Sequence, residues 1–341
     1  MTAIPAPPGT VDSEVPWHYG NPHTEQKLLD AGEGAVDLRH RDVLTVTGPD
    51  RLRWLHDLTT AHLAALAPGV SRIALVLSPH GHVEHELHLV DDGEATWIGV
   101  EPGTGAALAA YLDSMRFMLR VEVTARPDLG VVWEPILAPD SDGHPTWLVP
   151  DDFAGRGHTP AGEDRGGSAE RYVPVRPASL VGREVILPVE DIDLRVAASG
   201  APAGTWALEA LRVAAAVPRL GFETDHRTLP HEVGWIGPAV HLAKGCYRGQ
   251  EAIARVHNLG RPPRRLALAH LDGVDQGLPA HRDDVVVAGR VVGWVATAAR
   301  HYELGLVATV VIKRNVDPDA ELRIRTADTE IAAGQQVVVV P

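Results

Sequence analysis

"AKGCYRGQEAIARVHNLG" (Ala243–Gly260) is the stretch on which the reading of this chain turns. It holds Cys246, the only cysteine in 341 residues, and Lys244, one of only three lysines. Nearly every other positive charge is arginine, so a compact ammonium on a flexible stem stands out here. Gly245 and Gly249 flank the thiol and open backbone conformations closed to other residues. "GQEAIARVH" reads as a helix start, although its apolar spacing fits a strand nearly as well. As a helix it sets Cys246 just ahead of free backbone N–H groups and beside Lys244 and Arg248, all of which favour thiolate. The plainer alternative is a buried structural cysteine.

Working outward, the two sides of this stretch differ in kind. From Arg264 onward, runs such as "RRLALAHL", "LGLVATVVIK" and "QQVVVVP" are strands broken by Gly, Pro and Asp turns, which predicts a β-barrel over 261–341. Upstream, strands and helices mix. "VLTVTG" alternates, "DRLRWLHDLTTAHL" is helical, "RIALVL", "HVEHELHLV" and "EATWIGV" form a meander, and "GTWALEALRVAAAVPRLG" is a helix. The pattern predicts α+β layers with antiparallel pairing. The Pro-rich start, 1–16, reads as a disordered arm, and the Gly- and charge-rich 151–170 as a mobile loop.

Composition bounds the function. Hydrophobic residues make up 45% and charged residues 22%, as in a protein with real cores. A net charge of −14 works against direct binding of nucleic acid or anionic lipid. No run reaches the roughly 18 apolar residues of a membrane span, and the start has no secretory pattern. One cysteine forms no internal disulfide and no cysteine-built zinc or iron–sulfur site. These features predict a cytoplasmic protein with no membrane partner.

The octamer "KGCYRGQE" (Lys244–Glu251) followed by "ARVHNLG" resembles the signature of the YgfZ family of folate-binding proteins. These are relatives of the T-protein (aminomethyltransferase) of the glycine cleavage system. The likeness extends to "VLTVTGPDRLRWLHDLTT", "LRVAAAVPRLGFE" and "RVVGWVATAARHYELGLVATVVIKR", in family order. It implies an α+β fold of three domains closed into a ring. The first domain is split over 17–50 and 127–260, the second is 51–126, and a C-terminal β-barrel follows. Tetrahydrofolate, or a derivative, would occupy the central hole. The family's role implies an accessory protein for iron–sulfur protein assembly or repair, acting indirectly on tRNA modification, with client or assembly proteins as partners. By motif, Cys246 and Lys244 are the implied reactive pair, with Tyr247, Gly249, Gln250 and Glu251 as cofactor contacts and Arg248 at the variable position. Glu232 and Trp235, in "LPHEVGWIGPAVH", are candidates for the cavity lining, with a turn packed on the core as the plainer reading. Arg255, Arg261, Arg264 and Arg265 are candidates for the folate's glutamate tail, with solvated arginines as the default.

Two departures bear on activity. The T-protein's pterin-gripping glutamate falls at Ala214, and losing that acceptor implies about 1–3 kcal/mol weaker folate binding. Glu209, Glu223 and Glu232 are the nearby substitutes. The T-protein's aspartate strand reads "GHVEHELHL" here, with Glu84, His85 and Glu86 and no aspartate, which argues against the glycine-cleavage reaction. Extended, His82, Glu84, Glu86 and His88 would share one face opposite Val83, Leu87 and Leu89, as metal ligands or, more plainly, as a solvated face. A tetrahydrofolate-dependent one-carbon transferase and a ligand-free interaction module remain the alternative functions.

Overall fold

The computed structural model describes residues 2–136, 142–150, 153, 175–273 and 277–340. At the start, β1 (Ile4–Pro5) pairs with β2 (Pro16–His18), and Ala6, Asp12 and Val15 are buried. The segment expected to be a disordered arm is therefore fastened to the body. Its anchor is ionic: Asp12 accepts from Arg219 at 2.8 and 3.1 Å and meets His40 at 2.8 Å. Composition alone did not reveal an anchor made of one carboxylate. α1 (Pro22–Asp30) begins where Asn21 accepts from the N–H groups of His23 and Thr24, with Pro22 preset for the first turn.

β3 (Ala35–Asp37) and β4 (Asp42–Thr47) part company at once. β4 continues into α2 (Arg51–Leu58), β5 (Ser71–Leu77), β6 (Val83–Asp91), β7 (Ala95–Val100), α3 (Gly105–Ser114) and β8 (Glu122–Ala125). These strands make an antiparallel sheet in the order β5-β6-β7-β4-β8. The strand that a boundary at 50 assigned to the first domain thus belongs to the second sheet. Trp54 and Leu55 of α2, with Leu108 and Leu112 of α3, cover Leu44, Leu87, Leu89 and Ile98 on one face of that sheet.

The other α+β sheet takes β3, β9 (Leu129–Glu134), β10 (Thr146–Leu148), β11 (Arg183–Pro188) and β12 (Pro202–Ala203) in the order β10-β11-β9-β3-β12. All pairs are antiparallel except β12 with β3. α4 (Ile192–Ala198) covers the outer face through Ile192 and Val196. The inner face, with Val131, Trp133 and Ile186, packs against Ile73, Leu75 and Val83 of the second sheet and against Leu208 and Leu211 of α5 (Thr205–Ala214). The 151–170 segment lies outside the described residues apart from Phe153, which is buried in this same core.

The stretch after the thiol is helical, forming α6 (Gln250–Leu259). β13 (Arg264–Leu271), β14 (Asp284–Val287), β15 (Arg290–His301), β16 (Gly305–Lys313), β17 (Leu322–Arg325) and β18 (Glu330–Val337) then close a six-stranded barrel. Period-2 alternation on β13 turns Ala267 and Ala269 into the barrel and Leu266 and Leu268 out against Ala210 and Val213 of α5. Two α+β units with largely antiparallel sheets and a C-terminal barrel are the architecture that the sequence led us to expect.

Candidate functional site

A cavity of about 550 Å³, including its open mouth, lies between the inner faces of the two sheets, bounded by α5 and the 217–219 segment. Trp133, Trp147, Phe153 and Leu208 give it flat and apolar walls. Its polar lining is four carboxylates (Glu86, Glu101, Glu184 and Glu209) set among Arg41, Arg212, Arg219 and His88.

The charges are cross-linked. Arg41 reaches Glu184 at 2.8 Å and Glu101 at 3.1 Å, while Arg219 holds Glu101 at 2.8 Å. Arg212 grips Glu209 through two bonds of 2.9 Å and donates to buried Glu223 at 3.1 Å. His88 lies 2.9 Å from Glu184 and 3.6 Å from Glu86, its ring stacked on Trp147 at 3.8 Å. Burial alone would strip the His88 proton. The Glu184 and Glu86 carboxylates hold it instead, raising the pKa to about 9. Burial likewise opposes the charge on Glu184, yet Arg41 and His88 pull it down to about 2. Both shifts describe one ion pair, so they are not summed. The lining is a rigid set of fixed charges whose hydrogen-bonding edges are oriented before any ligand arrives.

Glu86 and His88 reach the cavity through a local irregularity. The pairing of β5 with β6 slips between Val76 and Leu77, opposite Glu84, so one residue of β6 is extra. Val83 therefore packs in the core between the sheets, while Leu87 and Leu89 lie in the core on the opposite face. A straight strand would have put Glu86 and His88 on a face opposite Val83. The bulge puts them on the Val83 side instead. Glu84 leaves the set to pair with Arg248 at 2.9 Å. No group of three or more metal-ligating side chains forms among the described residues.

Neither the six residues assigned by motif nor Glu232 and Trp235 line this cavity. Cys246 is a free, exposed thiol three residues ahead of Gly249, the N-cap of α6. Lys244 is buried, and its ammonium donates to the carbonyls of His56 and Thr59 and, at 3.1 Å, of Ala61. Burial lowers its pKa to about 8. Lys244 thus ties the end of α2 to the thiol's loop. Arg248, the other cation of the motif, is engaged by Glu84.

The remaining motif residues have structural places. Tyr247 is buried in the core between the sheets, 5.0 Å below the Lys244 ammonium. Gln250 donates to the Lys244 carbonyl at 3.5 Å. Glu251 is exposed on α6, 3.4 Å from Arg255. Trp235 is fully buried, away from the cavity, and Glu232, also fully buried, pairs with Arg264 at 2.7 Å and caps the Leu229 N–H. The four arginines do not cluster: Arg264 joins Asp225 and Glu232, Arg255 stays on α6, and Arg265 enters the barrel. Of the three candidate substitutes for the acceptor missing at Ala214, only Glu209 lines the cavity. Glu223 is sealed by Arg212, Thr297 and Thr309.

Gly249 shows how tightly the motif loop is built. Its φ is +83°, and a Cβ there would stand 2.5 Å from the Ser78 carbonyl oxygen. Gly249→Ala is expected to lower stability by about 1–3 kcal/mol through strain plus that contact. Thermal melting of the variant checks it, and an unchanged melting temperature would show that the loop relaxes freely.

The fold, two α+β units and a C-terminal β-barrel, is similar to that of aminomethyltransferases. Glycine cleavage system aminomethyltransferase T from Bartonella henselae has the same fold, with a TM-score of 0.75 over 98% of this chain and 92% of that one at 17% identity. In sequence, the chain is 28% identical to the aminomethyltransferase of Symbiobacterium thermophilum, over 84% of this chain and 80% of that protein. It is 25% identical to that of Moorella thermoacetica, over 91% and 88%. No protein-family model matches the chain. No helix among the described residues is long and apolar enough to cross a membrane.

Proposed function

We propose that this protein binds a reduced folate in the cavity between the two sheets and serves as a folate-dependent accessory factor for iron–sulfur proteins, in the manner of the family that its thiol motif resembles. The observation that carries the folate reading is the lining itself: flat indole walls beside pre-oriented carboxylates, an acceptor set matched to a planar ring with N–H groups along one edge. Glu209 takes the role vacated at Ala214, because it is on the same helix and lines the cavity. Cys246 lies outside the cavity wall and is solvent-exposed, which suits contact with a second protein rather than with the bound folate.

Calorimetric titration with tetrahydrofolate tests this reading. The unaltered chain is expected to bind, and Glu209→Gln to bind about 5- to 150-fold more weakly, the equivalent of losing one charge-assisted contact. No heat at millimolar folate would leave the ligand-free interaction module as the surviving reading. Growth complementation with Cys246→Ala tests the accessory role separately, and full rescue would remove the thiol from it.

A second reading, a one-carbon transferase using tetrahydrofolate, is favoured by Glu86. This carboxylate stands in the cavity wall on the strand that resembles the T-protein's aspartate strand. Folate supplies the one-carbon carrier in that chemistry, and Glu86 would hold an amino substrate's charge beside it. Methylenetetrahydrofolate formation from aminomethyl donors, lost in Glu86→Gln with folate affinity kept, would establish it.

A further inference from the structure

Arg265 is the exception among the buried arginines. Arg51 pairs with Asp91, Arg183 with Glu134, Arg212 with Glu209 and Glu223, and Arg219 with Asp12 and Glu101. Arg265 has no solvent exposure at all and no carboxylate partner among the described residues. It stands on β13 in register with Ile312 and alternates with Ala267 and Ala269, so its side chain enters the barrel. One terminal nitrogen, Nη2, donates to the Val316 carbonyl at 3.2 Å and to Gln335 Oε1 at 2.8 Å. Gln335 is itself fixed, donating to the carbonyls of Asp317 and Ala320 at 2.9 and 3.0 Å. Nε and Nη1 meet no acceptor among the described residues.

A guanidinium left this way carries two costs: N–H groups without acceptors, and a full positive charge inside an apolar barrel. Ordered water satisfies the first and leaves the second. Burial lowers the proton affinity of Arg265, and no neighbouring carboxylate offsets it. Among the described residues, no carboxylate bonds to this guanidinium. Of the groups beside Nη2, Val316 belongs to the turn between β16 and β17, where Asp317, Pro318 and Asp319 are exposed, and Gln335 to β18, so the guanidinium lies toward that end of the barrel.

We infer that Arg265 anchors a small monovalent anion of chloride size at this end of the barrel, held by the Nε and Nη1 donors that no protein acceptor fills. The site is separate from the cavity between the sheets, and its occupancy does not depend on what that cavity binds. The bound ion supplies the negative charge that every other buried arginine takes from a carboxylate.

Bromide in place of chloride makes the test direct. Crystals of the full chain grown in sodium bromide are expected to show an anomalous peak about 3.2–3.5 Å from Nε or Nη1 of Arg265. Peaks confined to the surface, an adventitious ion only, would overturn the inference. In solution, the full chain is expected to melt about 2–4 °C higher in chloride than in gluconate at equal ionic strength. Arg265→Gln should abolish that difference. An equal difference in both proteins would overturn the assignment, and the bromide map decides alone if the variant does not fold.

Discussion

Replacing Arg212 with methionine is expected to lower the unfolding free energy by about 3–5 kcal/mol, because it breaks a buried ion pair from one side. The Arg212 guanidinium makes two bonds of 2.9 Å to Glu209 and one of 3.1 Å to Glu223, whose side chain has no exposure. It also donates to the Val217 carbonyl at 2.6 Å and to Thr297 at 2.8 Å. Methionine fills most of the volume and restores none of these bonds. Glu223 would keep Thr297, Thr309 and the Arg219 N–H, but it would face them as a buried charge without a cation of its own. Urea denaturation of the full chain measures the loss, and a change below about 1 kcal/mol would show that water reaches Glu223 once Arg212 is gone. Arg212→Lys should recover only part of the loss, since one ammonium cannot make the two parallel bonds to Glu209.

The second large effect is a dependence on pH carried by His88. Folded, this imidazole holds its proton up to about pH 9, against an ordinary value of 6.5. Between those limits the native state binds more protons than the unfolded chain, so stability falls as pH rises. The His88 contribution is complete below pH 6.5 and gone above 9, a span worth about 3 kcal/mol. Glu184 is the mirror case: its contribution is present above 4.5 and lost as pH falls through about 2. Lys244, lowered to about 8 by burial, acts in the opposite direction to His88, since the unfolded chain holds that proton longer. Comparing the full chain with His88→Gln cancels the Lys244 contribution. Denaturation midpoints from pH 6 to 9 should slope downward more steeply in the unaltered protein, and parallel slopes would contradict the Glu184–His88 pair.

The cavity network and the thiol loop were legible in the sequence to very different degrees. The barrel and the two helical stripes of α2 and α5 announce themselves through local periodicity, which depends on neighbours a few positions apart. The octamer around Cys246 was visible as a motif, but the contacts of its lysine were not. Lys244 looked like an activating charge because it is two residues from the sulfur. Its ammonium instead caps carbonyls some 183 to 188 positions away in sequence. Glu86 and His88 were noticed but placed with a solvated or metal-binding face, because strict alternation has no means of registering the extra residue opposite Val76 and Leu77.

By itself, the chain of residue types determined that there would be two mixed layers and a closed all-β unit, and that one thiol would stand apart near a helix start. Those features follow from hydrophobic period, turn chemistry and the lack of any second cysteine, all of them short-range properties. Which charges meet was decided only by the tertiary structure. Asp12 reaches Arg219 across 207 positions, Arg41 reaches Glu184 across 143, and Arg265 reaches no carboxylate among the described residues. A buried ion pair needs a geometry accurate to a few tenths of an ångström. That accuracy exists only after both sheets, α5 and the barrel have packed.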